Sequence, residues 1–107
     1  MYKNLTVQQV SEKLARGEPV RLIDVREPQE HAVARIEGAE LLPLSRANEW
    51  IGTLPSEGEL IFFCHHGMRS AQVATFLAAQ RGMANVANMP GCIDAWSARV
   101  DRDVPRY

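Results

Sequence analysis

The stretch Leu60-Ile61-Phe62-Phe63 sets four large apolar side chains in a row. In an extended strand, neighbouring side chains point to opposite faces, so this run has no solvent side and needs cover above and below. Sheets buried on both faces are typically parallel, with helical crossovers between their strands. The run therefore predicts an inner strand of an α/β sheet. Cys64-His65-His66-Gly67-Met68-Arg69-Ser70 follows it directly, and a helical pattern follows that.

The rest of the chain alternates in the same way. Thr6 and Gln9 fit a capping box that opens a helix through about Arg16, stopped by Gly17. Val7, Val10, Leu14 and Ala15 give that helix one apolar face. Val20 to Val25 reads as a strand, Pro28 to Ala32 as a short helix, and Ala39 to Leu42 as a brief strand ended by Pro43. Ser45 to Ile51 predicts another short helix. Ser70 fits the N-cap of a helix from about Ala71 to Arg81, closed by Gly82. Asn85 to Met89 is the last predicted strand and Ile93 to Ala98 the last helix, while Trp50 and Trp96 read as core anchors. Strands alternating with helices give a three-layer α/β/α architecture around a mainly parallel sheet. Functional groups in such sheets gather beyond the C-terminal ends of strands, where Cys64 and Asp24 would both lie.

Bulk properties narrow the function classes. The 107 residues fit one domain over 1–107, and 46% hydrophobic content is enough for a core without disulfide staples. A net charge of -1, with its cations scattered, gives no basic face for nucleic acid or an anionic membrane. No apolar run approaches the ~20 residues of a membrane span, and the first residues lack the apolar core of a signal peptide. The two cysteines are too few for a disulfide framework and form no CxxC and no zinc spacing, so a reducing cytoplasm is expected.

Cys64 carries the chemistry. A thiol at a strand end, entering a helix N-terminus, meets unpaired backbone N–H groups and the positive end of the helix dipole. Both favour an anion, including a thiolate. Gly67 lets the backbone curl, and Arg69 adds a cation nearby. The bland alternative is a cysteine that merely ends a buried strand.

Four segments together resemble the single-domain rhodaneses, a family of sulfurtransferases. They are Leu22-Ile23-Asp24-Val25-Arg26-Glu27, Ile36-Glu37-Gly38-Ala39, Cys64 to Ser70, and Met89-Pro90-Gly91-Cys92-Ile93-Asp94-Ala95-Trp96. The resemblance implies a five-stranded, mostly parallel sheet in an α/β/α sandwich. It also implies a double displacement: the cysteine takes a sulfane sulfur from a donor such as thiosulfate and passes it to cyanide or a thiol. On that reading Cys64 is the nucleophile, and His65, His66, Gly67, Met68, Arg69 and Ser70 form the substrate cradle, with no metal or organic cofactor. A small sulfur-containing anion is the donor, and a thiol or small redox protein the acceptor. Related dual-specificity phosphatases carry Cys-x5-Arg, whereas here only four residues separate Cys64 from Arg69, a smaller cradle suited to one sulfur atom. Phosphatase and arsenate reductase activities therefore rank below sulfur transfer. A partner-specific persulfide carrier and a regulatory binding module remain as alternatives.

The flanking residues allow two readings each. Arg69 either attracts the donor anion or ties to a carboxylate such as Asp24 or Glu27. His65 and His66 line the pocket mouth rather than serve as bases, and an adjacent pair without further ligands is poor zinc spacing. Met68 is a pocket wall or a loop side chain. Asp24 is expected as support, by bonding loop N–H groups or pairing with an arginine. Arg26, Glu27 and Glu30 read as a solvated face, with Arg26 a candidate for the entrance; His31 shares that weak status. Relatives usually have a second glycine where this chain has Cys92, and often a histidine where it has Arg35. Cys92 either fills a gap at the start of the last helix or acts as a second thiol toward Cys64.

Overall fold

A computed structural model of the chain describes residues 2–105. Five strands form one sheet: β1 (Lys3–Asn4), β2 (Val20–Asp24), β3 (Glu40–Leu41), β4 (Glu59–Phe63) and β5 (Val86–Asn88). Their order is β1-β5-β4-β2-β3, and every neighbouring pair runs parallel. The helices are α1 (Val7–Ala15), α2 (Pro28–Val33), α3 (Ala47–Trp50), α4 (Met68–Gln80) and α5 (Cys92–Arg99). A 3₁₀ turn over Leu44–Arg46 leads into α3.

The apolar run is the centre of the molecule. Leu60, Ile61, Phe62 and Phe63 are all fully buried, so both faces of β4 are covered. Helix α4 packs on β4 and β5, and α1 packs against α5. Trp50 and Trp96 belong to the core, and the Trp50 indole N–H donates to the Pro43 carbonyl at 2.9 Å. The capping box at Thr6 and Gln9 forms in both directions.

Two local expectations need correction. Strand β1 was not foreseen: it is two residues long, polar and exposed, and exists only through its pairing of Lys3 with Ala87 and Asn4 with Asn88. Helix α4 starts at Met68 with Gly67 as its N-cap, three residues before the predicted start. Gly67 takes φ 109°, which a side-chain-bearing residue rarely adopts, so the turn closes early and Ser70 falls inside the helix.

Both β2 and β4 end on the same sheet edge, because Asp24 pairs with Phe63 in register. That places the Asp24–Arg26 segment beside the loop that begins at Cys64.

Candidate active site

The Cys64 sulfur lies beneath the first turn of α4. It accepts the Gly67 amide N–H at 3.0 Å and the Ser70 hydroxyl at 3.6 Å. Ser70 thus touches the thiol from the third position of the helix instead of capping its end; its hydroxyl is also 3.3 Å from the Gly67 carbonyl. A methyl group on Gly67 would stand 2.8 Å from the Pro90 carbonyl oxygen, so this corner needs glycine for space as well as for φ.

Cys92 is the nearest other thiol, its sulfur 3.9 Å from that of Cys64. Its sulfur accepts the Cys64 amide N–H at 3.1 Å and donates to the Met89 carbonyl at 3.0 Å. Together these neighbours split the two thiols. The Cys92 thiol, the Ser70 amide and hydroxyl, and the Gly67 amide hold the Cys64 pKa well below the usual thiol range, against the opposing effect of burial. Cys92 moves the other way, pushed up by the neighbouring Cys64 sulfur and by burial. The site therefore favours one thiolate and one neutral thiol.

Arg69 faces a carboxylate that the sequence did not single out. Its guanidinium makes a two-pronged pair with Glu30 of α2, at 2.6 and 2.9 Å. The expected tie exists, but to Glu30 in place of Asp24 or Glu27. Spacing along the chain gave no signal for it, since the partners are 39 residues apart.

The expected solvated face is instead a set of engaged groups. Arg26 is fully buried, which removes it as an entrance residue. Its guanidinium grips Asp24 at 2.9 and 2.6 Å, reaches the Ala34 carbonyl at 2.6 Å, and lies over the Phe63 ring at 5.8 Å. Asp24 also accepts the Arg26 amide at 3.0 Å and sits 3.0 Å from His31 Nδ1, so its supporting role takes both forms anticipated. Glu27 and Glu30 form a capping box at α2, and Glu27 accepts from Ser45.

In the loop after Cys64, His65 and His66 stack with ring centroids 4.0 Å apart. Asp94, in the first turn of α5, brings a carboxylate to them: the three ligand atoms lie within 4.8 Å of one another. The sequence offered the histidine pair but not this third group, which arrives from a separate element. Met68 is 77% exposed and is the first residue of α4, so it is a helix residue and not the loop side chain of one of its two readings. Among the described residues, a cleft of about 270 Å³ opens between Asn4–Gln8 and Pro90–Arg99, apart from the Cys64 cradle. Cys64 itself is only 1% exposed.

Comparison with known proteins agrees with this geometry. Residues 6–99 match the rhodanese-like domain family. The chain is 30% identical to the thiosulfate sulfurtransferase GlpE of Pseudoalteromonas translucida, covering 98% of each. It is 35% identical to the chloroplastic rhodanese-like/PpiC domain-containing protein 12 of Arabidopsis thaliana, over 98% of this chain but only 37% of that protein's length. A crystal structure of a single-domain sulfurtransferase from Saccharomyces cerevisiae superposes with a TM-score of 0.79 at 30% identity, covering 97% of this chain and 95% of that one.

Proposed function

Since the chain belongs to the rhodanese-like domain family, we propose that it is a sulfurtransferase that carries a sulfane sulfur as a persulfide on Cys64. The observation that carries the reading is the setting of the Cys64 sulfur, with the Gly67 amide at 3.0 Å and the Ser70 hydroxyl at 3.6 Å, in a loop with four residues between cysteine and arginine. Relatives named as sulfurtransferases support it.

The chemistry follows from charge. The Cys64 thiolate attacks the outer sulfur of thiosulfate; a new S–S bond forms, the old one breaks, and sulfite leaves with the electron pair. No proton moves, so neither His65 nor His66 has to act as a base. The persulfide anion then occupies the cradle, where N–H groups at the start of α4 offset its charge. A cyanide or thiolate acceptor attacks the outer sulfur and regenerates the Cys64 thiolate. Glu30 holds Arg69 in one orientation at the rim, and part of the arginine's charge is spent on that pair. Its role is chiefly to position the loop, with a smaller share in attracting the donor. A thiol or a small redox protein is the expected acceptor, and the cytoplasm the expected compartment; no helix among the described residues is long and apolar enough to cross a membrane.

Intact mass tests the proposal directly. Reduced protein incubated with thiosulfate should gain one sulfur atom and lose it again to cyanide, while Cys64→Ala gains none. A Cys64→Ala chain that still turns over thiosulfate, or a wild-type chain that takes up no sulfur, removes the assignment.

A further inference from the structure

Cys92 is placed with more care than a gap-filling residue requires. It is the one non-glycine among the described residues with positive φ, at 55°. Such backbone costs a side-chain-bearing residue about 1 kcal/mol or more relative to glycine. The conformation aims its sulfur at the Cys64 amide and sulfur, at 3.1 and 3.9 Å. A disulfide requires about 2.05 Å between sulfurs, so the two must move about 2 Å closer to bond. Cys92 is also fully buried. It therefore approaches Cys64 from the interior.

We propose that Cys92 resolves the Cys64 persulfide internally, giving the chain a second activity: release of the sulfane sulfur as hydrosulfide. This rests on the persulfide reading above and extends it. The Cys92 sulfur bonds to Sγ of Cys64 and the bond from that Sγ to the outer sulfur breaks. The outer sulfur leaves with the bonding pair and departs as HS⁻, taking a proton from the Ser70 hydroxyl, 3.6 Å from the Cys64 sulfur. The Cys92 proton refills that hydroxyl across the 3.7 Å contact between Ser70 and Cys92. The two cysteines together lose two electrons and become a disulfide; the sulfane sulfur gains those two. An external thiol reductant then restores the dithiol.

The resting geometry suits this order of events. The Cys92 S–H has two acceptors within reach, the Met89 carbonyl at 3.0 Å and the Cys64 sulfur at 3.9 Å, and Cys92 stays neutral beside the Cys64 thiolate, so the two do not compete for the donor. Persulfide formation moves the negative charge to the outer sulfur, and the proton can follow it. Holding the two sulfurs in contact makes the step intramolecular, which favours it strongly over capture by dilute external thiol.

The test is one anaerobic reaction with equimolar thiosulfate and no added thiol, on the reduced wild type, Cys92→Ser and Cys92→Gly. Glycine suits the positive φ and serves as a second variant should serine disturb the turn. The wild type should release hydrosulfide and end two hydrogens lighter than the reduced chain, its cysteines closed to alkylation. Both variants lose the Cys92 contact that helps ionise Cys64 and should load more slowly. Once loaded they should stay one sulfur heavier and release at least ~10-fold less hydrosulfide per sulfur taken up, the minimum expected for loss of an intramolecular step. A wild type that retains a stable persulfide, as the variants do, overturns the resolving role and leaves the sulfurtransferase reading standing. A chain that takes up no sulfur in any form overturns both.

Discussion

The ends of β2 and β4 lie side by side on one sheet edge, and each buries an ionisable group. At the end of β2, Asp24 meets a full counter-charge: Arg26 binds both carboxylate oxygens, and the Arg26 guanidinium reaches the Ala34 carbonyl and the Phe63 ring. At the end of β4, the Cys64 sulfur meets an amide, a hydroxyl and a thiol, all neutral. A salt bridge that satisfies its partners leaves nothing to react. Neutral dipoles stabilise an anion without a bound counter-ion in its path, so its nucleophilicity survives. The same edge thus holds one charge for structure and one for chemistry, and the kind of partner separates them.

The strongest way to break that contrast is at Asp24. Asp24→Ala leaves the fully buried Arg26 without its counter-charge, and breaking a buried pair on one side typically costs about 3–5 kcal/mol. Denaturant unfolding should show a loss of that size. The double variant Asp24→Leu with Arg26→Met should recover much of it, because apolar replacements leave no orphaned charge. A full loss in the double variant would mean that the pair specifies the loop geometry as well as filling the core.

Gly67→Ala attacks the other side of the comparison. The new methyl group meets the Pro90 carbonyl at 2.8 Å on a backbone held at φ 109°. Stability should fall by about 1–2 kcal/mol from the unfavourable φ alone. Sulfur loading should fall further, by about 10- to 100-fold, because the amide that faces the Cys64 sulfur moves with the turn. Equal losses in stability and loading would show that the turn serves the fold only.

Acid sharpens the distinction without mutation. Because the folded-state pKa of Cys64 lies below the usual thiol value, its thiolate persists as pH falls through neutrality. The rate of iodoacetamide alkylation at Cys64 should stay nearly flat from weakly alkaline to weakly acid pH, whereas a free thiol with pKa ~8.5 loses about tenfold per unit below that value. A tenfold drop per unit near pH 7 would show that Cys64 rests as a neutral thiol.

What the sequence made legible follows the range of the interactions. The inner strand, the capping box at Thr6 and the two tryptophan anchors are local patterns, and all three are present. The parallel sheet followed from alternating elements, but β1 has no pattern of its own and depends on a partner more than 80 residues away. Ser70 had cap chemistry, but the positive φ of Gly67 starts the helix three residues earlier. Arg26 looked exposed because arginine usually is; its burial depends on Asp24, Ala34 and Phe63 meeting at one point. Cys92 and Asp94 were visible as residue types at the start of the last helix. Their approach to Cys64 and to the histidine pair depends on how α5 docks across the end of the sheet.

The smallest expected effect tests where Arg69 belongs. Its pair with Glu30 resembles the Asp24–Arg26 bridge in its two-pronged shape but is about a quarter exposed, with side-chain exposures of 32% and 21%. A partly exposed ion pair contributes about 1 kcal/mol or less, so Glu30→Gln should barely change unfolding. It also frees the Arg69 charge toward the rim while loosening its orientation. If positioning is the main role, kcat for thiosulfate should fall a few-fold, while KM improves slightly because the loss of the Glu30 charge leaves the rim more positive toward the donor dianion. Raising salt should erase the KM gain and leave the kcat loss, since screening weakens attraction over distance but does not restore orientation. A variant with unchanged kcat and a salt-sensitive KM would move Arg69 to the chemical side of the comparison, as a guide for the anion, with Glu30 present only to moderate its charge.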